Sequence, residues 1–593
     1  MQILGVSCYY HDAAAALLVD GALVAAAQEE RFSRRKHDPG FPAQAVAFCL
    51  RQAGLTAADL DFVVFYEKPF AKFERLLTTL AATAPRSARV FGQAMSVWLG
   101  DRLWLKSHLA ERVGVPADKI LFVEHHLSHA ASALFASPFA EAAILTVDGV
   151  GEWTTAALGR GTAAWNGGGE NRIRLESELR FPHSVGLLYS AFTAWLGFEV
   201  NEGEYKVMGM APYGEPRYVD RVRRVVQVYE DGSLHLDLAY FSFPHHHART
   251  FSRKFEALFG PPRNPAARFI TARTSRYDDP EPPTASELAR NQYYADVAAS
   301  IQAVTEEIVL RMARQARTRT GLSRLCLAGG VALNSVANYR ILAEGLFDEL
   351  YIQPAAGDAG GALGAALYAY HVLLGQPRRF VLEHAAWGEA HGDAAIADYL
   401  AASGLRAEAC RSDDALLDRV VELLTQGKVV GWVQGRFEWG PRALGHRSIL
   451  ADPRRAEMKD TINIKIKFRE PFRPFAPSVL EERASDFFLL PPSGRNLPAR
   501  FMLYVAPVRH PEVIPAVTHA DGTGRLQVVN RSAAPRFHRL VERFGEATGV
   551  PVLLNTSFNL RGDPIVNTPA EAVDTFRRSD MDALVLDHWV AVK

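Results

Sequence analysis

The stretch ILGVSCYYHDAAAALLVDGALVAAAQ, residues 3–28, decides the fold class of the chain. It contains three short apolar runs, and Asp20-Gly21 between the last two is a strong signal for a two-residue hairpin. A helical pattern follows, with Pro42 near its start and Gly54 at its end. The sequence therefore predicts an α/β unit that begins with a β-hairpin.

Strands and helices continue to alternate downstream. Apolar runs predict the strands DFVVFY, ILFVEHH and AAILTVDG and, after a long helical stretch near 291–318, the strands RLCLAGG and ELYIQPA with helices between them. This alternation indicates a mainly parallel sheet with helices on both faces. A hairpin-led first half and a βαβα second half favour two lobes around a cleft, as in actin-like ATPases. Sequence identity between the halves does not by itself establish a repeat.

Length and charge limit the classes of protein to consider. The 593 residues exceed the roughly 250 to 300 at which one hydrophobic core stops growing. At about 150 residues a domain they predict two to four domains. The 66 Lys and Arg residues balance 66 Asp and Glu residues. A protein that binds a long polyanion usually carries a basic excess, so the zero net charge argues against nucleic-acid binding.

The cysteines and the apolar runs indicate the compartment. The four cysteines lie far apart and form no CxxC pair, which predicts neither a disulfide framework nor a Cys-type zinc site. The first residues, MQILGVSCYY, do not have the pattern of a signal peptide. The most apolar stretch, of about 16 residues, is shorter than the roughly 20 that span a bilayer. We expect a cytoplasmic protein that does not enter a membrane.

Two segments of unusual composition divide the chain. Residues 258–287 carry six prolines and several charges, which predicts an irregular loop or lid. A polar stretch around 376–394 is interpreted as a linker, with a new α/β unit after it. The predicted divisions are an N-terminal domain at 1–376, a linker at 377–394 and a C-terminal domain at 395–593.

A histidine pair is the first candidate for chemistry. His125 and His129 stand four residues apart, so a helix would place both on one face. Asp148 directly follows a predicted strand, and Asp358 opens a predicted helix. Two imidazoles and two carboxylates suit a divalent metal, above all zinc or ferrous iron. From spacing alone the alternative stays open that the histidines pack in the core and the aspartates cap their elements.

Glycine turns are the second candidate. Gly329-Gly330 and Gly357 each stand between a predicted strand and a predicted helix. Such turns let backbone amides approach a phosphate, and the helix N-terminus favours its negative charge. A single turn of this kind often only packs against a sheet, but two in one lobe favour a nucleotide site.

The run NEGEYKVMGMAPYG brings Glu202, Glu204 and Lys206 close together in sequence. Lys206 could face a phosphate, and a glutamate could hold magnesium. On the residues alone, however, a solvated charged loop is the favoured interpretation.

The C-terminal half concentrates positive charge. Between residues 434 and 474, ten Lys and Arg stand against five Asp and Glu. Aromatic and proline residues alternate with these charges, which favours a folded pocket for a small anion over a solvated basic tail. The candidate pocket residues are Arg442, Lys467, Arg473, Arg525, Asn555 and Ser557.

Six motifs occur in this order: YYHDAAAALLVDG, EERFSRRKHDPGFP, EHHLSHAASA, FPHSVGLLYSAF, GEYKVMGMAPYG and AGGVALNS. Together with the basic C-terminal runs, they resemble the motifs of the NodU/CmcH O-carbamoyltransferases. The resemblance covers essentially the whole chain. It implies an N-terminal actin-like (ASKHA), two-lobed ATPase-fold domain and a C-terminal YrdC-like α/β domain. It also implies that carbamoyl phosphate binds the C-terminal domain, that ATP adenylates the resulting carbamate, and that the carbamoyl group then passes to a hydroxyl.

The resemblance also assigns residues. It places the metal on His125, His129, Asp148 and Asp358, with ferrous iron as the first expectation, zinc or manganese as alternatives, and magnesium with the nucleotide. It places the nucleotide on Gly149, Gly151, Gly329, Gly330, Asn334 and Gly357. It places carbamoyl phosphate on the six C-terminal residues named above, and catalysis on His11, Asp12 and Lys206.

We therefore predict an ATP-dependent O-carbamoyltransferase that modifies a hydroxyl of a small-molecule natural product, with no nucleic-acid or membrane partner and with a homodimer expected for the class. Three alternatives are less favoured. A tRNA threonylcarbamoyl transferase would need an additional basic surface, which the balanced charge does not indicate. A small-molecule kinase of the actin-like class would not need the C-terminal basic pocket. A ligand-sensing regulator would need a DNA-binding module, whereas the first predicted strand begins at residue 3.

Overall fold

The computed structural model describes residues 1–165, 168–246, 248–274, 281–492 and 495–593. The first sheet has the strand order β3-β2-β1-β4-β5. Its strands are β1 (Gln2–Ser7), β2 (Ala14–Val19), β3 (Ala22–Gln28), β4 (Phe62–Phe65) and β5 (Ile120–Phe122). The predicted hairpin is confirmed: β2 and β3 are antiparallel, and Asp20 and Gly21 between them have φ values of 47° and 81°. β1 pairs parallel with β4, and β4 with β5.

The second sheet repeats the topology of the first. Its order is β10-β9-β6-β7-β8, again two antiparallel hairpins followed by two parallel strands. Its strands are β6 (Glu141–Val147), β7 (Thr154–Thr162), β8 (Arg172–Arg180), β9 (Arg324–Ala328) and β10 (Glu349–Ile352). Two copies of one five-stranded unit form the two lobes of an actin-like domain, which confirms that predicted fold.

Helices cover both sheets. Those of at least seven residues in the described chain are α1 (Ala43–Ala53), α2 (Pro69–Ala82), α3 (Ala88–Gly100), α4 (Leu105–Val113), α5 (His125–Leu134), α6 (Val185–Trp195), α7 (Glu204–Met210), α8 (Arg253–Phe259), α9 (Ala285–Thr320), α10 (Ser335–Ala343), α11 (Asp358–Tyr368), α12 (Asp393–Ser403), α13 (Asp413–Thr425), α14 (Pro535–Thr548) and α15 (Pro569–Arg577). None of the helices in this part of the chain is both long and apolar enough to cross a bilayer.

Two of these helices lie between the lobes and are exchanged between them. α5 follows the first sheet but packs on β6 and β9 of the second, whereas α11 follows the second sheet but packs on β1 and β2 of the first. The contacts are too close for a side chain: a Cβ at Gly5 would lie 1.8 Å from the Ala362 carbonyl oxygen, and one at Gly364 would lie 1.8 Å from that of Ser128. This crossing sets the distance between the two lobes.

The C-terminal α/β domain contains one mixed sheet. Its order is β11-β18-β17-β12-β13-β16-β14-β15. The strands are β11 (Glu408–Ala409), β12 (Val430–Val433), β13 (Arg447–Ala451), β14 (Ala476–Leu480), β15 (Gln527–Val529), β16 (Val552–Ser557), β17 (Ala583–Leu586) and β18 (Trp589–Val592). Two small ribbons lie apart from the large sheets, at Val226–Val228 with Leu234–Leu236 and at Ala506–Pro507 with Thr523–Gly524. α13 and α14 pack together over a separate apolar core of this domain.

The two segments of unusual composition are largely irregular. Residues 376–392 form no helix and no named strand, but they are packed rather than loose, because fully buried Arg378 donates to the Phe139 carbonyl oxygen at 2.6 Å. The domain boundary there stays a prediction. Residues 260–274 and 281–284 are irregular, as predicted for the proline-rich stretch, and 275–280 lie outside the described residues. The described part does not line the cleft and instead packs Phe269 on Phe472 of the C-terminal domain.

Candidate functional site

Two equivalent turns bring the predicted catalytic and metal residues to one cleft. His11 and Asp12 lie between β1 and β2, and Asp148 lies between β6 and β7, the matching position of the repeat. β1 is shorter than the predicted strand and ends at Ser7, because Tyr9 and Asp12 have left-handed φ values of 75° and 52°. Because the two sheets share one topology, the β1–β2 turn and the β6–β7 turn occupy equivalent positions in the two lobes. The two turns lie opposite each other across the cleft between the lobes.

Four buried side chains converge beneath this cleft. His125 opens α5 and His129 is one turn further, so both rings share a face, as the spacing predicted. His125 Nε2 lies 3.1 Å from Asp148 Oδ2 and 3.6 Å from Asp358 Oδ1, and His129 Nε2 lies 3.8 and 3.7 Å from the same atoms. All four ligand atoms lie within 4.8 Å of one another. Two imidazole nitrogens and two carboxylate oxygens aimed at one point fit a divalent transition metal.

The electrostatics of this cluster favour a cation. Burial lowers the pKa of His125, but the charges of Asp358 and Asp148 outweigh it and raise the pKa to about 9. Burial raises the pKa of Asp148, yet the hydrogen bond from His125 and the nearby His129 imidazole hold it well below the usual range. The negative field that retains a proton on His125 also stabilises a metal ion between the four side chains.

His11 lies at the upper edge of the cluster. Its Nδ1 is 2.9 Å from Asp12 Oδ2, and its Nε2 is 3.8 Å from Asp358 Oδ2. Burial lowers the pKa of His11, but Asp358 and the hydrogen bond with Asp12 raise it to about 9. The other Asp12 oxygen lies 2.7 Å from His37 Nδ1, a contact that the sequence motifs did not indicate. The Asp12 carboxylate thus lies between the His11 and His37 rings, within hydrogen-bonding distance of both.

The predicted nucleotide turns divide into two groups. Gly149, Gly330, Asn334 and Gly357 line the cleft, and the amide of Gly330 donates to Asp148 Oδ1 at 2.7 Å. Gly329 and Gly151 do not line it. Gly329 has φ 94°, and a Cβ there would lie 2.2 Å from the Val147 carbonyl oxygen, so it shapes the turn. A Cβ at Gly151 would lie 3.0 Å from His125, so Gly151 packs against the cluster of two histidines and two aspartates.

The predicted basic residues of the C-terminal domain meet in one pocket. Lys467, 3% exposed, is enclosed by oxygens: its Nζ donates to the Ser557 carbonyl at 2.6 Å and to Asn559 Oδ1 at 2.8 Å. Burial, together with nearby guanidinium groups, lowers its pKa well below the usual value. The buried Nε atoms of Arg442 and Arg525 have no hydrogen-bond partner among the described residues. Cations left unpaired in a pocket call for an anionic ligand.

Neutral groups complete this pocket. Asn555, 1% exposed, donates through Nδ2 to Gln527 Oε1 at 2.9 Å, while its Oδ1 has no partner among the described residues. Ser557 Oγ donates to Asn559 Oδ1 at 2.7 Å. An amide oxygen without a donor beside several guanidinium groups suits a ligand that carries both an N–H and a phosphoryl group.

The charged run around Lys206 is a helix, and the interpretation as a solvated loop was wrong. Residues 204–210 form α7, which the long helix α9 packs against, and the Lys206 side chain is only 15% exposed. Lys206 Nζ lies 3.9 Å from Glu470 Oε1, and the Tyr205 ring lies 4.9 Å from the Arg473 guanidinium. Burial of Val207 and Met210 against the core outweighs the local turn signals. α7 therefore carries N-terminal residues into the C-terminal pocket.

A single cavity of about 570 Å³ joins the two halves of the site. His11, Asp148 and Asp358 line its N-terminal end, and all six predicted basic-pocket residues line the other. His125 and His129 lie just beneath its wall. Most of the predicted site residues, which come from two predicted domains and lie as much as 546 positions apart from His11 to Ser557, thus line one cavity.

Sequence reasoning missed Arg469, which lines the same cavity. Its Nε donates to Asn463 Oδ1 at 2.6 Å, and its guanidinium stacks on Phe475 at 4.7 Å. Burial first, and then the charge of Arg473, lowers its pKa well below the usual value. The signal was present, since Arg469 stands between the two basic residues chosen from the run INIKIKFREPFRPFAP.

Comparison with known proteins connects this site to a family. The carbamoyltransferase N-terminus model matches residues 2–367, and the carbamoyltransferase C-terminus model matches residues 421–593. Uncharacterized protein sll1178 of Synechocystis is 47% identical over 100% of this chain and 97% of its own length. Nodulation protein NolNO of Sinorhizobium fredii is 39% identical over 99% of this chain and 79% of its own length. Nodulation protein U of Rhizobium tropici is 30% identical over 95% and 91%.

Solved structures are more distant. HypF of T. kodakarensis is 14% identical, with a TM-score of 0.30, over 63% of this chain and 48% of its own. Component A of the (R)-2-hydroxyglutaryl-CoA dehydratase of Acidaminococcus fermentans is 15% identical, with a TM-score of 0.31, over 62% and 97%. The assignment therefore rests on the two family models and on the curated relatives. On these grounds, the chain belongs to the carbamoyltransferase family.

Proposed function

We propose that the chain is an ATP-dependent O-carbamoyltransferase, which uses carbamoyl phosphate and forms carbamoyl-adenylate before it carbamoylates a hydroxyl of a small-molecule natural product. One observation carries the proposal: an anion-binding pocket rich in guanidinium groups and a cluster of the metal-ligand type open into the same cavity. A kinase would need only the second of these. The shared space supports a reaction in which a product of one end is consumed at the other.

The C-terminal end is the proposed site for carbamoyl phosphate. Arg442, Arg469, Arg473 and Arg525 bind the phosphoryl oxygens, because guanidinium groups offer paired N–H donors to phosphate. The free Oδ1 of Asn555 accepts from the carbamoyl NH₂ group. Water attack on carbamoyl phosphate then releases phosphate and leaves carbamate in the cavity that the proposed adenylation site shares.

The N-terminal end is the proposed site for adenylation and transfer. The carbamate oxygen attacks the α-phosphorus of ATP, and pyrophosphate leaves. A divalent metal held by His125, His129, Asp148 and Asp358 would offset negative charge that develops on phosphate oxygens. The hydroxyl oxygen of the acceptor then attacks the carbamoyl carbon, AMP leaves, and His11 receives the hydroxyl proton when its Nε2 is unprotonated.

The test is incubation of the protein with ATP, carbamoyl phosphate and hydroxyl-bearing acceptors, with glycerol as the simplest probe. We expect release of pyrophosphate and AMP and the mass gain of one carbamoyl group on the acceptor. His11→Asn should still release pyrophosphate while product formation falls about 10²- to 10⁴-fold, the usual worth of a general base. ADP in place of AMP would instead identify a kinase, and equal loss of both activities would place His11 in adenylation.

A further inference from the structure

His37 lies behind His11, on the far side of Asp12, and we propose that it is a positioning residue for carbamoyl transfer. The inference rests on the proposed function, in which His11 receives the proton of the acceptor hydroxyl. His37 Nδ1 lies 2.7 Å from Asp12 Oδ1, and His11 Nδ1 lies 2.9 Å from Asp12 Oδ2. The Asp12 carboxylate therefore bridges two imidazoles. In the proposed function only one of them, that of His11, contacts the reacting groups.

Occupation of both Asp12 oxygens restricts the His11 ring. A carboxylate only accepts hydrogen bonds, so each imidazole donates through Nδ1. The carboxylate cannot rotate without breaking its bond from His37, and Oδ2 therefore stays directed at His11 Nδ1. Nε2 is then the His11 nitrogen that faces the cleft, 3.8 Å from Asp358 Oδ2. Fixing which ring nitrogen holds the proton is what an orienting carboxylate does for a catalytic histidine.

The backbone around His37 holds its ring in place. The His37 amide donates to Glu30 Oε2 at 2.9 Å, and the Ala13 amide donates to the Asp38 carbonyl oxygen at 2.9 Å, which ties the two loops together. Asp12 and His37 have φ values of 52° and 53°. A left-handed conformation costs free energy in residues other than glycine and persists where surrounding contacts enforce it. Both residues of the bridge are held in this conformation.

The loop that carries His37 also contacts the rest of the cavity wall. Lys36 pairs with Glu202 beside α7. Arg34 donates to the carbonyl oxygens of Pro564 and Ile565 at 2.9 and 2.8 Å, in the C-terminal domain. The loop around His37 is therefore fixed by Glu30, by the ion pair of Lys36 and by the hydrogen bonds of Arg34. The His37 imidazole is the part of this loop that contacts Asp12.

The experiment separates positioning from stability by comparing two substitutions. His37→Leu removes the Nδ1 donor, whereas His37→Asn keeps an amide donor near the same place. With ATP, carbamoyl phosphate and glycerol, we expect His37→Leu to keep the initial burst of pyrophosphate and to slow AMP release about 10- to 100-fold, the usual loss for an orienting partner. The KM values for ATP and carbamoyl phosphate should stay unchanged, and His37→Asn should recover most of the rate.

His108→Leu is the matched control. The His108 side chain is 31% exposed, and its Nδ1 lies 2.9 Å from an Asp101 oxygen. The His37 side chain is 30% exposed, and its Nδ1 lies 2.7 Å from an Asp12 oxygen. Unlike His37, His108 does not line the cavity. It should leave both rates unchanged. A wild-type protein that releases no pyrophosphate contradicts the proposed function and the role of His37 with it. A normal wild type, combined with unchanged AMP release in His37→Leu or no recovery in His37→Asn, overturns the role of His37 alone.

Discussion

Guanidinium groups in the C-terminal pocket outnumber the carboxylates that face them. Arg442, Arg469, Arg473 and Arg525 share the cavity wall, and Glu470 lies 3.6 Å from one of them, Arg473. Burial and mutual repulsion lower the pKa values of Arg442 and Arg525. A phosphoryl anion relieves this repulsion, so ligand binding and local stability are coupled in this pocket.

Arg473→Ala should weaken the binding of carbamoyl phosphate about ten- to a hundredfold and leave ATP binding nearly intact. Loss of one charge-assisted contact costs about 1.5 to 3 kcal/mol, or roughly ten- to a hundredfold in affinity. Calorimetry with each ligand separately measures the difference. Arg483→Ala is the control, because Arg483 is 52% exposed and pairs with Asp486 at the surface. An equal fall in ATP affinity would show that the two ends of the cavity are not separate sites.

His129→Ala should remove the bound metal and stop pyrophosphate release. Its Nε2 is one of four converging ligand atoms, and three ligands hold a divalent ion less tightly than four. Elemental analysis of the purified protein measures the loss. His126→Ala, on the same helix, is the control, since the buried His126 Nδ1 lies 2.7 Å from Thr146 Oγ1 and His126 supplies none of the four converging ligand atoms. Equal metal content in wild type and His129→Ala would sink the assignment.

At the scale of elements, the crossing of α5 and α11 determines the geometry of the metal cluster. α5 carries both histidines, and α11 begins with Asp358. The two helices approach so closely at Gly364 that the Ser128 carbonyl oxygen occupies the place of a side chain. The cluster therefore depends on a helix contact six residues away from Asp358.

Gly364→Ala should push α11 away from α5. We expect the free energy of unfolding to fall by about 1 to 3 kcal/mol, the usual cost of overpacking, and metal affinity to fall with it. Urea denaturation and metal titration measure the two effects. Gly92→Ala is the matched control: it also lies in a helix, its added Cβ meets nothing within 4 Å, and it should be neutral or slightly stabilising. A neutral Gly364→Ala would contradict the close crossing.

At the scale of the whole molecule, the loop of residues 30–40 joins the two domains. Arg31, fully buried, donates to the Gly440 carbonyl oxygen at 2.8 Å, and Arg34 lies 3.2 Å from Glu571. The same loop carries His37. The turn that carries Asp12 and the C-terminal domain thus both contact this one loop, through His37 on one side and Arg31 and Arg34 on the other. Assembly of two such chains into a homodimer stays a prediction.

The stability of the whole chain should fall in mild acid. Burial lowers the pKa of His371, which is fully buried against Phe135, to about 4. Below pH 6.5 the unfolded chain binds a proton that folded His371 refuses, so stability decreases as pH falls from about 6.5 to 4, by about 3 kcal/mol from this group. Urea denaturation across this range measures the slope. His371→Gln should reduce the slope and leave the part due to other buried histidines such as His519, whose pKa burial also lowers to about 4. An identical slope in that variant would contradict the buried neutral state of His371.

The local elements and the residue types of the site could be predicted from short stretches of the chain. The Asp20-Gly21 turn, the helix over His125 and His129, and the strand before Asp148 follow from local sterics and periodicity, which neighbouring residues alone specify. The basic run of the C-terminal domain was visible for the same reason.

Which of these residues are in contact depends on the tertiary structure and could not be predicted from local sequence. The exchange of α5 and α11 between sheets, the burial of Lys206 on a helix and the bridge from His37 to Asp12 depend on contacts far apart in sequence. Spacing along the chain carries no information about such contacts, because packing of the two lobes and the C-terminal domain creates them. The repeat of one sheet topology was hidden in the sequence for a related reason: many apolar sequences satisfy the same backbone pairing, so the fold persists where identity does not.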